Sequence, residues 1–439
     1  MKSELEYLRP VDAAWFRMER RDDPADIVAL MRFDGRLDEA RLRELIQARL
    51  LCHPRFLRRA VDSPRGITPP HWEPEPAFSI DAHLSRIDLP PLADEAALRR
   101  AIDELLGHRL DFSRSPWRLW LIDGLPGGSA LVAQLHHCMG DGFGLLDVLL
   151  TLTDASSPGD GPGARAVQAP RSDRAARHEH FAALKGGVDA LKHVLLMPFD
   201  PPNRLRGRPS GVRRVAWSRR MPLWPVKRLA AARGWTVNDV LMSALASALR
   251  RYALSHGDLP VDVRAIVPVN LRPPHDPEQA RTDPRHNWFG LVFLELPLRD
   301  PDRESRAAKL RREMDRIKTS KEALVSLGFL EALGRSPTVV DRFVDEIFAR
   351  KASIVVTNVP GPRQPVELAG CRLRDMAFWA PHPCGLGCGA SILSYAGMFR
   401  LGMRSDVAVV ADPELVTRYF EEELEDWLSI PRDAAEASA

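Results

Sequence analysis

Two adjacent histidines, His136 and His137, end the apolar run Ala130-Leu131-Val132-Ala133-Gln134-Leu135, and an Asp141-Gly142 pair begins four residues after the second. The run reads as a strand, so the histidines stand where it ends and the chain turns. An imidazole placed there, with a carboxylate one turn further on, can act as a general base oriented by its own loop. That arrangement suits taking a proton from a hydroxyl or amine so that it attacks an acyl group. Consecutive strand residues face opposite sides, so one histidine is expected to meet substrate while the other packs or hydrogen-bonds. Asp141 could pair with His137, and Gly140 and Gly142 are expected to let backbone turn tightly and approach substrate.

Other chemistry is less well supported by the residues. Cys138 lies beside His137, but no Cys-His-Asn pattern accompanies it. His382, Cys384 and Cys388 lack a fourth ligand at zinc spacing, so no metal is expected. No phosphate-cradling or dinucleotide fingerprint is evident. Five cysteines, an odd number, argue against a disulfide framework. A formal charge of +3 on 439 residues gives no electrostatic reason to expect nucleic acid. Met1-Lys2-Ser3-Glu4-Leu5-Glu6 has no apolar core, so no signal segment is expected there, and without a run of about 18 apolar residues no transmembrane helix is expected. A cytoplasmic protein is expected.

The elements that position these residues alternate. Ile27–Phe33, Trp117–Ile122 and Ala130–Leu135 read as strands, while the stretch after Asp38, Asp94–Leu110 and Phe143–Leu152 have helical spacing. Ser156-Ser157-Pro158-Gly159-Asp160-Gly161-Pro162-Gly163 reads as a linker. Phe181–Leu196 follows as an amphipathic stretch that could rest on a lipid surface. The second half has a helix at Val237–Tyr252, capped by Thr236 or Asn238, and a long helical region over Asp302–Ala349. Its strands are expected at Val263–Val269, Trp288–Leu296, Ser353–Thr357, Ala390–Tyr395 and Met398–Met403, and Pro413–Leu428 closes the chain as a helix. The length suggests two α/β domains: residues 1–155, a linker and crossover at 156–211, and residues 212–439.

The histidine motif is the HHxxxDG signature of coenzyme A-dependent acyltransferases and condensation enzymes. Over nearly its whole length the chain resembles the bacterial wax ester synthase/diacylglycerol acyltransferase family. The resemblance rests on Pro10-Val11-Asp12-Ala13-Ala14-Trp15-Phe16 with Glu19, Asn238-Asp239, Val267-Pro268-Val269-Asn270-Leu271-Arg272, His286-Asn287-Trp288-Phe289-Gly290 and Thr357-Asn358-Val359-Pro360-Gly361-Pro362. Ser115-Pro116-Trp117 stands where the family has PLW, which bears on the acceptor side of the site. The resemblance implies two chloramphenicol-acetyltransferase-like domains, each a mixed sheet flanked by helices, with the active site at their interface.

It further implies that His137 is the general base, that His136 helps place the loop, and that Asp141 braces the loop through an ion pair. Gly142, Asn238, Asp239 and Asn287 would be supporting residues, and Asn270 a candidate donor to the oxyanion. The reaction implied is transfer of a fatty acyl group from acyl-CoA, a co-substrate, to a long-chain alcohol or diacylglycerol, with no cofactor. A hydrophobic tunnel should lie near the domain interface. Peripheral contact with a membrane or lipid inclusion is open, as is a homodimer. The competing readings are a condensation-type enzyme using a carrier-protein donor and a non-catalytic lipid-surface protein.

Overall fold

The computed structural model describes residues 6–20, 22–63, 68–154, 196–271, 287–336, 350–382 and 385–429. The 156–163 linker, most of Phe181–Leu196, Arg272, His286, Cys384 and the end of the 302–349 region lie outside them.

Two mixed sheets carry the fold. The first runs in spatial order Glu367–Leu368, Cys371–Trp379, Asp26–Asp34, Gly128–His136, Trp117–Leu125 and Leu84–Asp88. Its pairs are antiparallel except the last. The second runs Phe289–Leu296, Val263–Asn270, Ile354–Pro360, Cys388–Tyr395, Met398–Asp406 and Arg213–Trp217, with Met221–Pro222 beside Met398–Asp406. Its second, third and fourth strands are parallel neighbours. This is the expected mixed α/β class with helices against each sheet. Cys371–Trp379, although late in the chain, pairs with Asp26–Asp34 and so lies in the first sheet.

Apolar alternation explains why these strands sit where they do. Val28 and Leu30 point from one face of the first sheet, with Trp120, Val132 and Trp379, onto Leu98, Ile102 and Leu105 of the Glu95–Leu106 helix and onto Val215 and Trp217 of the second sheet. Ile27, Ala29, Met31 and Phe33 point to the other face, where they meet Leu42, Leu45 and Leu145. The Val237–Ser255 helix is buried along most of its surface in the second core. Its start is a capping box: Thr236 Oγ accepts the Asp239 N–H and Asp239 accepts the Thr236 N–H.

The helical region expected over Asp302–Ala349 is broken. Arg303–Thr319 and Glu322–Arg335 are separate helices. At the break the Ser320 hydroxyl donates to the Ile317 carbonyl and accepts the Glu322 N–H, competing with the helical ladder. The Glu322–Arg335 helix then lies close on two neighbours. A Cβ on Gly334 would stand 1.6 Å from the Pro10 carbonyl oxygen, and one on Gly290 1.9 Å from that of Ala323. Among the described residues no helix is long and apolar enough to cross a membrane.

Candidate active site

The first sheet delivers His136 as the last residue of Gly128–His136, and His137 opens a single 3₁₀ turn through Met139. Backbone bonds fix the strand end: the His136 N–H donates to Pro116 O and the His137 N–H to Ala25 O. Asp141 then caps the Gly142–Thr151 helix, accepting the Gly144 N–H at 2.9 Å, while its other oxygen accepts the Trp288 N–H at 3.1 Å. Asp141 thus joins the histidine loop to the second half of the chain. Gly140 is in extended backbone, so no left-handed turn is needed there. Gly142 is a close approach: a Cβ would meet the Phe378 ring edge at 3.0 Å.

The two imidazoles have different surroundings. His137 stacks on the Trp15 indole with ring centroids 3.8 Å apart and planes 12° apart, and lies 5.6 Å from the Phe289 ring. Its Nδ1 is buried with no hydrogen-bond partner among the described residues. Burial pulls its pKa down to about 4, against the opposing pull of the Asp141 carboxylate, so the ring is neutral at pH 7.

His136 faces the other way, edge-on to Phe112 with Nε2 3.3 Å from Glu19. Burial pulls it down, while the Cys138 side chain and Glu19 push it up to about 10. The Cys138 N–H, however, is aimed at Nδ1 at 3.1 Å and requires a lone pair there. That fixed backbone donor is the stronger constraint and assigns the neutral ring with its proton toward Glu19. Burial raises Glu19, but His136, the Ala25 N–H and Arg109 outweigh it and hold the carboxyl below its ordinary value.

A second layer grips the loop carbonyls. Asn287 Nδ2 donates to His137 O and to Asp12 Oδ1, both at 2.8 Å. Arg55 donates to Met139 O at 3.0 Å and pairs with Asp12 at 3.4 Å. Burial raises the Asp12 pKa, opposed chiefly by Arg55. Of these, sequence reasoning singled out Asn287. Asp12 and Trp15 stood in a recognised block without a role, and Arg55 stood in none. Ser115-Pro116-Trp117 supports the loop from behind: Ser115 binds Glu75 and Arg55 O, Trp117 donates to Phe56 O, and Pro116 O holds His136. The departure from PLW therefore bears on support of the histidine strand, and none of the three lines the cavity.

His137 and Asp141 open onto a cleft enclosing about 1060 Å³, part of it open to solvent, with an almost wholly apolar wall drawn from both halves of the chain. Trp15 and Phe289 lie against the histidine, Leu330 and Phe378 line the same cleft, and Ile266, Pro268, Val355, Thr357 and Val359 come from the second sheet. Thr357 is held in the sheet by its backbone beside Ser391, while its hydroxyl makes no hydrogen bond among the described residues and is available to a ligand. Asn270 shares a strand face with Ile266 and Pro268 but is outside the lining. Asn238 and Asp239 are also outside it. Asn238 Oδ1 accepts Asn358 Nδ2 at 3.2 Å, tying the long helix to the strand that carries Thr357.

Of His382, Cys384 and Cys388, from which no metal site is expected, His382 Nδ1 donates to Leu386 O and the Cys388 thiol faces Ser353 O. Among the described residues no cluster of three or more His, Cys, Asp or Glu could hold a metal.

The wax ester synthase/diacylglycerol acyltransferase catalytic domain profile matches residues 8–241, and that family's C-terminal domain profile matches residues 286–427. A Mycobacterium tuberculosis protein named as a probable diacylglycerol O-acyltransferase is 27% identical, covering 98% of this chain and 97% of its own. The solved wax ester synthase/diacylglycerol acyltransferase of Marinobacter aquaeolei superposes with a TM-score of 0.70 at 20% identity, covering 97% of this chain and 100% of that one. The first condensation domain of a calcium-dependent antibiotic synthetase shares the fold at TM-score 0.64 and 18% identity, covering 99% of both. The chain belongs to the wax ester synthase/diacylglycerol acyltransferase family of acyltransferases.

Proposed function

We propose that this protein transfers a fatty acyl group from acyl-CoA to the hydroxyl of a long-chain alcohol or a diacylglycerol, with His137 as general base. The observation that carries the reading is the His137 imidazole, stacked on Trp15 and set in the wall of an almost wholly apolar cleft, where burial favours its neutral form. A neutral ring can accept the hydroxyl proton as the oxygen attacks the thioester carbonyl. The C–O bond forms, the carbonyl π pair moves to oxygen, and collapse of that oxyanion expels the coenzyme A thiolate, which takes the proton back from the imidazolium.

Two features favour the charged species along this path more than the resting ones. An imidazolium at His137 lies over the Trp15 indole face, a cation–π contact the neutral ring lacks. It also faces the Asp141 carboxylate, whose attraction acts only on the charged ring. Thr357, rather than Asn270, is the residue we assign as hydroxyl donor to the oxyanion, because it lines the same cleft. Asp12, Arg55 and Asn287 hold the loop so that the ring does not wander. His136 and Glu19 anchor its other side. Each step is carried by side chains and the thioester itself, with no cofactor.

Labelled palmitoyl-CoA offered with hexadecanol or dioleoylglycerol tests this. Wax ester or triacylglycerol should appear in step with free coenzyme A. Free coenzyme A without esterified product would reject the transfer, and ester formed only from a carrier-bound donor would move the protein to condensation-type chemistry.

A further inference from the structure

The cleft has a direction, which strand register makes explicit. Phe289, beside the His137 ring, pairs with Asn270; Leu291 pairs with Pro268, and Phe293 with Ile266. Ile266 in turn pairs with Val355 on the next strand. From the level of Phe289 to that of Phe293 is four residues, roughly 13 Å at about 3.3 Å per residue. Ile266, Phe293 and Val355 cluster there with Leu386 and the buried Ala352. The end remote from His137 is therefore walled by apolar side chains.

The wall is rigidly held at Leu386. Its carbonyl accepts His382 Nδ1–H at 2.6 Å, and the preceding Gly385 N–H donates to Asp23 at 2.7 Å. The following Gly387 is wedged so tightly that a Cβ would lie 2.5 Å from the Val409 side chain. Asp23 is itself held by Arg213 at 3.1 Å. Held at three successive residues, the backbone fixes where the Leu386 side chain enters the wall.

We propose that Leu386, backed by Ile266 and Val355, is the stop that sets the length of the apolar chain accepted in the cleft. The inference rests on the acyl-transfer reading above. The ligand is an unbranched hydrocarbon chain, which could be that of the acyl donor or that of the alcohol.

Two competition series separate those sources: acyl-CoA donors from C10 to C22 against one alcohol, and alcohols of the same range against one donor. Each buried methylene adds severalfold in affinity, so room for about two more should raise the preference for the longer chain roughly tenfold. Leu386→Ala should shift the optimum to longer chains in one series and leave the other unchanged. Leu386→Phe should shift that same series to shorter chains. Preference is a ratio within one preparation, so a general loss of active enzyme does not imitate it. If Leu386→Ala does not fold, Ile266→Val makes a smaller opening at the same end and should move the optimum the same way. Ester formed by all variants with unchanged profiles in both series overturns the inference alone. No ester from the wild type with any donor or acceptor overturns the underlying reading, and the inference with it.

Discussion

At the residue scale the pivotal group is His137, and what sets its behaviour is burial against aromatic rings. Desolvation lowers its pKa from 6.5 to about 4, so the neutral imidazole that the proposed mechanism needs persists well into acid. The rate should therefore be nearly flat from pH 8 down to about 5 and lose half its value near pH 4. A pH–rate profile with its acid limb at 6.5 would contradict that environment. Between pH 6.5 and 4 the unfolded chain protonates at this position while the native ring does not, so the same shift withdraws stability as the pH falls. The histidine pair and Asp141 were legible in the sequence because seven consecutive residues carry them. Trp15, Asp12 and Arg55 were not legible as its partners, since their roles arise from contacts between segments far apart in the chain. Asn270 was chosen by its place in a motif, and strand alternation alone could not show where the cleft ends along its face.

At the scale of elements, the Glu322–Arg335 helix roofs the cleft with Phe329, Leu330 and Leu333. It can do so because Gly334 lets its backbone sit against Pro10, at the start of the Pro10–Met18 helix that carries Trp15. Gly334→Ala forces the two helices apart. It should cost about 1–3 kcal/mol, as overpacking does, and lower activity by loosening the Trp15 stack. Thermal unfolding and a turnover assay read both, and a variant of undiminished stability would show that the helices do not meet this closely. Strands with clear alternation and helices with polar caps were legible, and Pro413–Leu428 forms over the same residues as expected. Cys371–Trp379 was not legible. Arg372, Arg374 and Asp375 interrupt its apolar pattern, and its partner strand lies some 340 positions earlier. The break at Ser320 was also hidden, because helical propensity continues through it and only the serine's own hydrogen bonds end the turn.

At the scale of the whole molecule, buried charges join the two sheets. Arg404, on a second-sheet strand, donates to the Asp26 carboxylate at 2.7 Å and to the Asp26 carbonyl at 2.8 Å, and both residues are almost fully buried. Arg213 reaches Asp23 in the same way. Arg404→Ala would remove the ion-pair partner of a buried carboxylate, leaving Asp26 with the Gln134 hydrogen bond and the more distant Arg213, and should cost about 3 kcal/mol. Replacing both, Asp26→Leu with Arg404→Met, should recover much of the loss in chemical unfolding. A single variant as stable as the wild type would mean that the pair does not hold the sheets together. This junction keeps the His137 loop facing the strands that carry Thr357 and Ile266, so the site exists only when the halves are joined. The most direct test of the account compares wild type with His137→Ala at pH 7, measuring ester formed from acyl-CoA and a long-chain alcohol. The neutral-base mechanism predicts a loss of about 10²–10⁴-fold in turnover with the fold retained. A correctly folded His137→Ala enzyme that still makes ester at the wild-type rate would contradict it.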